Sequence, residues 1–368
     1  MNAAIKRVNS ERTPPQADNP FTEFKGVMHV HSFLGGHSSG TFPEIIAAAN
    51  ANNLDFVIMT EHTEEDMETA AMTLRGLHAG VLFVNGNEVS AENGDRTLVL
   101  PGFVSPSEEE EIILSQRSGI EFPDTIVAYP KEFKDWNQFG LTGVEVFNVY
   151  TNARRINPVV AFFDVLWSKG SYPDLLFALY LERPDANLKL WDQASTRSHL
   201  AATAGNDAHA NIGLSLRDSA GNTIAGIQLD PYEVSFRLVR MHVLIEGHKP
   251  LEQKKLLEAI RAGHCFIGFD FLGDPSGFSF TAESQGTQTI QGDEIMLAPD
   301  TRLKVRTPVS SRVLLFKDGN VISDESGVTS KEYPVSERGV YRVEVYLPQL
   351  GNLVADKPWI ISNPIYVR

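Results

Sequence analysis

The chain has a single cysteine, Cys265, among its 368 residues. One thiol cannot form an internal disulfide, and it cannot build a metal site that needs several thiolates. Any metal ion that this protein binds must therefore be held mainly by histidine and carboxylate side chains.

Basic side chains and long apolar runs are also scarce. The 32 Lys and Arg against 47 Asp and Glu give a formal net charge of -15, which repels polyanions, so no nucleic-acid partner is expected. No apolar run approaches the roughly 18 residues of a membrane helix, and the N-terminus lacks the apolar segment of a secretory signal. We therefore expect a soluble protein with no membrane partner. It would be cytoplasmic, or periplasmic or exported if a signal peptide has been removed.

The length predicts more than one domain, because 368 residues exceed what one hydrophobic core usually holds. Residues 1–23 are largely polar and include Pro14-Pro15, which predicts a disordered lead-in. In residues 24–271, short β-rich runs alternate with amphipathic helical segments, as in a parallel α/β sheet or barrel. Residues 272–368 change to alternating strands with turn signals such as Asp318-Gly319, and predict a small antiparallel β-sandwich of about seven strands.

The α/β part contains seven predicted strands and at least three predicted helices. The strands are expected at 26–30, 56–59, 81–84, 96–100, 125–128, 143–147 and 201–204, where β-branched and other apolar residues cluster. The helices are expected at 43–54, 108–117 and 251–261, from their apolar spacing and capping residues.

Histidines and acids fall at or just after the ends of these strands. His29 and His31 are two residues apart in a strand, so their imidazoles can face one ion. In barrels of parallel strands, this rim carries the chemistry. The polar residues placed there are His29, His31, His37, Glu61, His62, Glu88, Tyr129, Asn148, Asp207 and His209.

These residues predict two metal groups with nitrogen and oxygen donors, which suit Zn, Mn or Fe. The first group is His29, His31, Glu88 and Asp207. The second group is His37, His62 and His209, and either Glu88 or Asp207 could bridge the two ions. A single histidine is more often an ordinary surface or core residue, and we prefer that interpretation for His78, His199, His242, His248 and His264.

Three basic residues are candidates for substrate binding. Arg154 and Arg155 follow the sixth strand and could hold a phosphate or carboxylate as planar forks, although a solvated helix start is the simpler interpretation. Lys131, just after Tyr129-Pro130, has the same two interpretations.

Four motifs occur in order over roughly residues 24–268. They are His29-Val30-His31-Ser32 with His37-Ser38-Ser39-Gly40, Met59-Thr60-Glu61-His62, Gly86-Asn87-Glu88, and Gly205-Asn206-Asp207-Ala208-His209. Together they resemble the polymerase and histidinol phosphatase (PHP) superfamily of metal-dependent phosphoesterases. The resemblance implies a distorted barrel of seven βα units, with up to three metals at the C-terminal ends of the strands. It also implies the same two ligand groups as above.

Two positions depart from the family pattern. Thr97 and Tyr129 stand where the family usually has histidines that complete a third metal position. Because neither Thr nor neutral Tyr is a good substitute ligand, we expect two divalent ions rather than three. The missing cation also weakens the expectation of strict phosphomonoesterase activity.

The tail adds a second, weaker resemblance. The segments 340–344 and 359–366 resemble the β-domain that follows the barrel in a branch that includes carbaryl-hydrolase-like enzymes. That likeness implies that ester or carbamate hydrolysis belongs among the alternatives.

The expected function is metal-dependent hydrolysis of a small-molecule ester, with a phosphorylated substrate preferred. A hydroxide that bridges two ions would attack the phosphorus or carbonyl centre, and Tyr129 would donate a hydrogen bond to the developing anion. Carboxyl ester or carbamate hydrolysis at the same site is one alternative. Another is a non-catalytic, metal-stabilised binding protein whose β-sandwich recognises a partner or a glycan.

Overall fold

The computed structural model describes residues 2–14, 19–64, 66–102, 124–136, 140–149, 151, 182–210, 213–217, 223–228, 231–247 and 250–368. Within these residues there are six α-helices: α1 Asn2–Ser10, α2 Phe42–Ala51, α3 Thr69–Met72, α4 Asp185–Ser195, α5 Tyr232–Leu238 and α6 Gln253–Ala262. The predicted helix at 108–117 lies outside the described residues.

Fourteen strands lie in the described parts of residues 21–268. They are β1 Phe21–Val30, β2 Phe56–Met59, β3 Glu61–His62, β4 Gly76–His78, β5 Val81–Val84, β6 Asn87–Ser90, β7 Arg96–Leu100, β8 Asp124–Val127, β9 Leu141–Asn148, β10 Ala201–Gly205, β11 Gly213–Arg217, β12 Thr223–Gln228, β13 Arg240–Glu246 and β14 Cys265–Gly268. All seven predicted strands are confirmed, within a few residues at their ends.

Eight further strands follow in the tail. They are β15 Ser279–Ser284, β16 Thr287–Ile290, β17 Glu294–Ile295, β18 Arg302–Lys317, β19 Asn320–Pro334, β20 Gly339–Tyr346, β21 Ile360–Ser362 and β22 Ile365–Val367. The turn at Asp318-Gly319 joins antiparallel β18 and β19, and both residues have positive φ, as a tight hairpin turn requires.

Two large sheets organise the chain, which is a mixed α/β protein with a high strand content. One sheet has fourteen strands and includes the path β16-β15-β18-β20-β21-β14-β13-β1-β2-β5-β4, and the other has the order β10-β9-β8-β7-β6-β3. The first sheet is continuous from β14 to β21, where Phe266 pairs with Ser362, so tail strands and α/β strands share one sheet.

The strand directions differ from the parallel pattern expected from the sequence. Parallel pairing holds for β1–β2, β2–β5, β8–β9 and β9–β10, but β7 is antiparallel to both β6 and β8. The short turn at residues 91–95 explains the β6–β7 reversal, because parallel neighbours need a crossover of a dozen or more residues.

The expected disordered lead-in is wrong for the first helix. Ile5 and Val8 stand three residues apart on α1, and both are buried in the main hydrophobic core. Val8 packs near Gly273, where an added side chain would meet the Val8 methyl group. These contacts are distant in sequence, which is why a local polar composition did not reveal them.

No helix among the described residues has both the length and the apolar character that crossing a membrane would require.

His242, on β13, lies buried between the carboxylates of Glu23 and Asp270. Its Nδ1 is 2.7 Å from Glu23 Oε1, and its Nε2 is 3.0 Å from Asp270 Oδ1. Burial lowers the pKa of His242, but the charges and hydrogen bonds of Asp270 and Glu23 outweigh burial and raise that pKa to about 9. The ring therefore carries a charge that both carboxylates balance, in agreement with the structural role preferred for His242.

This pairing predicts a pH dependence of stability. Because the pKa of His242 is raised in the folded state, its contribution is fully present below the unfolded pKa of about 6.5. The contribution is lost as the pH rises through about 9. We expect the difference in unfolding free energy between wild type and His242→Gln, measured in urea, to shrink across that interval. If the difference stays constant to pH values above the raised pKa of His242, the pairing is contradicted.

Candidate metal centre

The ends of four strands meet where the two sheets approach each other. The amide of His31 donates to the Ala208 carbonyl at 3.0 Å, and the amide of Asn206 donates to Met28 at 2.9 Å. These bonds join the end of β1 to the segment after β10. Side chains at the end of β1 and just after β10 are therefore brought close together, as the positions of the motifs predict.

Two residues of the cavity have unusual backbone conformations. His29 has φ 62° and Asp207 has φ 48°, values in the left-handed region that non-glycine residues seldom adopt. The β1–β2 register also shifts between Val27 and Val30, so His29 and His31 do not converge by simple alternation. Such strain is typical of functional sites, where the surrounding structure enforces it.

Four buried side chains form the first cluster. His29, His31, Glu88 and Asp207 each offer a donor atom, and these atoms lie within 4.8 Å of one another. The Nε2 atom of His29 is 3.3 Å from Glu88 Oε2 and 3.4 Å from Asp207 Oδ1. The Nε2 atom of His31 is 3.4 Å from each of the same two oxygens. This is the predicted first group.

Three imidazoles form the second cluster, and it differs in one member from the predicted group. His31, His62 and His209 offer atoms within 4.8 Å of one another. The ring centre of His31 lies 4.7 Å from that of His62 and 4.3 Å from that of His209. His37 lies beside them, with its ring centre 4.9 Å from His62. His31 therefore belongs to both clusters, and the role of His37 as a ligand stays a prediction.

Three atoms of the centre are buried and have no hydrogen-bond partner among the described residues: His31 Nδ1, His31 Nε2 and Asp207 Oδ1. Burying such groups unpartnered is costly, so native proteins seldom do it without a purpose. A divalent cation would use the Asp207 oxygen and a ring nitrogen of His31 as ligands. The donor set therefore fits a metal of the Zn, Mn or Fe class.

The protonation states of three ligands suit a cation, and the fourth ligand, His29, would have to release a proton. Burial lowers the pKa of His29, but the charges of Glu145 and Asp207 outweigh burial and raise that pKa well above its usual value, so a cation would bind by displacing this proton. Burial lowers the pKa of His31 to about 3, which keeps the ring neutral with a lone pair available. Burial raises the pKa of Glu88, but hydrogen bonding to His29 and the charge of that ring outweigh burial and lower it to about 2. The pKa of Asp207 is likewise lowered, because the nearby histidines outweigh burial. Both acids are therefore charged at neutral pH.

Glu145 contacts the first cluster and was not among the residues predicted from the sequence. Its Oε2 is 2.8 Å from His29 Nδ1, while its Oε1 accepts a hydrogen bond from Asn148 Nδ2 at 2.8 Å. Gly205 makes room for it, because a Cβ there would overlap the Glu145 carboxylate. The available signal was an acid inside the apolar strand β9, between Val144 and Val146.

Glu145 would orient His29 and increase its basicity, as carboxylate partners of metal-binding histidines do. The two oxygens of Glu145 face His29 Nδ1 and Asn148 Nδ2 separately, whereas a glutamine amide has only one oxygen. In Glu145→Gln, the NH2 group must therefore face one of these two N–H donors. We expect metal affinity to fall about 10- to 100-fold. Competition with a chromophoric chelator measures the change, and Glu325→Gln, at an exposed Lys331 pair, is the control. Unchanged affinity would contradict this role.

Tyr129 lies at the first cluster but does not belong to it. Its hydroxyl donates to Asp207 Oδ2 at 3.0 Å, and Asn148 Nδ2 donates to the same oxygen at 3.2 Å. Burial, with the charges of Asp207 and Glu88, raises the pKa of Tyr129 far above its usual value. The phenol therefore stays protonated and acts as a donor.

The remaining predicted residues have different placements. Glu61 stabilises the loop after β1. Its Oε2 accepts a hydrogen bond from the Ser32 amide at 3.0 Å, and its Oε1 accepts one from the Ser32 hydroxyl at 2.6 Å. Lys131 is exposed and lines, with Tyr129, a cavity of about 300 Å³. Arg154 and Arg155 lie outside the described residues. Substrate binding by these three basic residues stays a prediction.

Comparison with known proteins gives little help with identity. The sequence matches no protein-family model and no curated protein. Among solved structures, PsfC from Pseudomonas syringae PB-5123 is 16% identical with a TM-score of 0.40, covering 67% of this chain and 92% of that chain.

A two-domain protein from Bacteroides vulgatus ATCC 8482, described as containing a predicted PHP-like metal-dependent phosphoesterase, is 13% identical with a TM-score of 0.41. The alignment covers 96% of this chain and 98% of that one. At these scores the likenesses identify neither the family nor the activity of this chain. The observation that bears on function is the buried His and carboxylate cluster itself.

Proposed function

We propose that this protein is a metal-dependent hydrolase of the PHP superfamily that acts on small-molecule esters, with phosphate esters preferred. The observation that carries the proposal is the convergence of His29, His31, Glu88 and Asp207. Within the part of the chain that the structure describes, buried atoms of His31 and Asp207 in this cluster have no hydrogen-bond partner. The motifs in residues 24–268 support the family assignment.

The proposal includes a finer architecture. Residues 24–271 would form a distorted (β/α)7 barrel, and residues 272–368 a β-sandwich domain as in the carbaryl-hydrolase-like branch. The bonds between the ends of β1 and β10 support barrel closure. The antiparallel pairing of β15, β16, β18, β19 and β20 supports a β-rich unit in the tail, which joins the α/β part through the β14–β21 pair.

Two divalent ions, Zn, Mn or Fe, would be held by His29, His31, Glu88 and Asp207 in one position and by His37, His62 and His209 in the other. When bound, such ions would supply Lewis acidity and lower the pKa of water, so that hydroxide would be available as the nucleophile near neutral pH. The chain's own contribution is to hold these donors in place and to aim Tyr129 at the reacting group.

The single O–H of Tyr129 donates to Asp207 in the structure, and we expect it to turn from Asp207 to a substrate oxygen when substrate binds, while Asn148 keeps its bond to Asp207. Tyr129→Phe should lower kcat about 100-fold while leaving the metal content unchanged, because a donor to a developing anion contributes on that order. Steady-state kinetics and elemental analysis of the same samples measure both effects. An unaffected rate would remove Tyr129 from the mechanism, and a loss of metal would make it a structural partner of Asp207.

The proposed function is tested by assaying the full chain with added Mn²⁺, Zn²⁺ or Fe²⁺. The substrates are 4-nitrophenyl phosphate, bis(4-nitrophenyl) phosphate and 4-nitrophenyl acetate. We expect metal-dependent hydrolysis of a phosphate ester. Faster hydrolysis of the acetate would favour the carboxyl ester or carbamate alternative. Activity with no ester under any metal, with tight retention on a glycan or protein array, would favour the non-catalytic binding protein.

A further inference from the structure

Arg96 approaches the centre from β7. In the antiparallel β6–β7 pair, Ser90 is opposite Arg96 and Glu88 is opposite Leu98, so Arg96 and Glu88 are diagonal neighbours on one face. The guanidinium donates from Nη1 to Glu88 Oε1 at 2.9 Å. The arginine therefore touches a predicted metal ligand directly.

The two oxygens of Glu88 face different groups. Oε2 lies 3.3 to 3.5 Å from the Nε2 atoms of three histidines, His29, His31 and His62. Oε1 faces Arg96 instead. The Glu88 side chain is 2% exposed and that of Arg96 is 42% exposed, so the guanidinium extends from the buried cluster to the protein surface.

Arg96 also lies next to the segment after β8 that carries Tyr129. The amide of Ala128 donates to the Arg96 carbonyl at 3.0 Å, which places the two residues on adjacent chain segments. Within the described part of the chain, no other arginine or lysine forms an ion pair with Glu88 or Asp207. Arg96 thus brings a fixed positive charge to the rim of the cluster.

Guanidinium groups have five N–H donors in a planar fork that matches the oxygens of phosphate and carboxylate. Glu88 accepts one of these donors through Nη1, and the exposed part of the guanidinium offers others outward. A negatively charged substrate group beside the metals could therefore receive charge-assisted hydrogen bonds from Arg96.

We propose that Arg96 binds an anionic oxygen of the substrate at the edge of the metal centre and thereby selects charged esters, such as phosphate esters, over neutral ones. This inference rests on the proposed function and adds to it the class of ester that the site would select. The anion site itself is a binding property and can be measured without turnover.

The test measures binding of inorganic phosphate to the Mn²⁺-loaded full chain by isothermal titration calorimetry. We expect Arg96→Gln to weaken phosphate binding about tenfold or more, as expected for a hydrogen bond to a charged group. Arg96→Lys, which keeps the charge and loses the fork, should recover part of the affinity. Arg312→Gln, at an exposed arginine–aspartate pair with Asp324, is the matched control and should bind as wild type does.

Elemental analysis of each sample separates substrate binding from ligand positioning. The proposal requires an unchanged metal content in Arg96→Gln, together with a KM for 4-nitrophenyl phosphate that rises more than the KM for 4-nitrophenyl acetate. Equal phosphate affinity in wild type and Arg96→Gln, no phosphate binding by wild type, or metal loss in the variant would overturn it. Phosphate binding that depends on Arg96 in a protein without esterase activity would support the anion site and reject the hydrolase.

Discussion

Asp207→Asn is expected to lose most of its bound metal and to lower kcat/KM by more than about 100-fold, because even an outer partner of a metal ligand contributes 10- to 100-fold. The wild-type Oδ2 accepts hydrogen bonds from Tyr129 and Asn148, whereas Oδ1 accepts none from the residues that the structure describes. In the variant, the amide oxygen must take the Oδ2 position to keep those bonds. The NH2 group then faces the cluster, where it cannot bind a cation.

The control for this variant is Asp293→Asn. Asp293 also pairs with a histidine, His264, at 2.7 Å, but the pair is partly exposed and neither residue belongs to the two described metal clusters. We expect it to keep the metal content and the activity of wild type. Elemental analysis and hydrolysis assays of both variants are the measurements. Full metal content and full activity in Asp207→Asn would show that Asp207 is not a ligand.

Arg342→Ala is expected to destabilise the fold by about 3–5 kcal/mol, the usual cost of removing one partner from a buried ion pair. Arg342 donates from Nε and Nη2 to the two oxygens of Asp192, at 2.6 and 2.8 Å, and from Nη1 to Glu344 at 2.6 Å. Its guanidinium also lies 4.1 Å from the Phe316 ring centre. The alanine variant leaves the Asp192 carboxylate without this partner, at the contact between α4 and the tail sheet.

Arg312→Ala is a closely matched control. It removes a two-point bond to Asp324 on the same sheet, at 2.6 and 2.7 Å, but both side chains are more than a third exposed. Solvent screening limits such pairs to at most about 1 kcal/mol. In urea unfolding, the loss of unfolding free energy relative to wild type should therefore be several-fold larger for Arg342→Ala than for Arg312→Ala. Equal losses would show that burial does not determine the contribution of Arg342.

The strands of the α/β part could be predicted because a short apolar run between polar turns marks a buried strand. The predictions at 56–59, 81–84 and 96–100 coincide with β2, β5 and β7. The convergence of His29 with Asp207 could also be predicted, because polar residues at strand ends share a rim. That these side chains bind metal stays a prediction.

What the sequence could not provide depends on register and on contacts between distant segments. The Arg96–Glu88 bond requires that β6 and β7 be antiparallel, whereas the alternation of strands and helices suggested parallel pairing. The Glu145–His29 bond joins residues 116 positions apart and depends on the glycine at 205. Helix α1 depends on packing against the far end of the chain. None of these has a local sequence signal strong enough to decide it.

The most direct test of a binuclear centre is elemental analysis of the full chain purified without chelators. We expect two divalent ions per chain in wild type, and neither ion in a double variant that combines Asp207→Asn with His62→Gln. A metal-free wild type under replete conditions, or the same metal content in wild type and the double variant, would contradict this expectation.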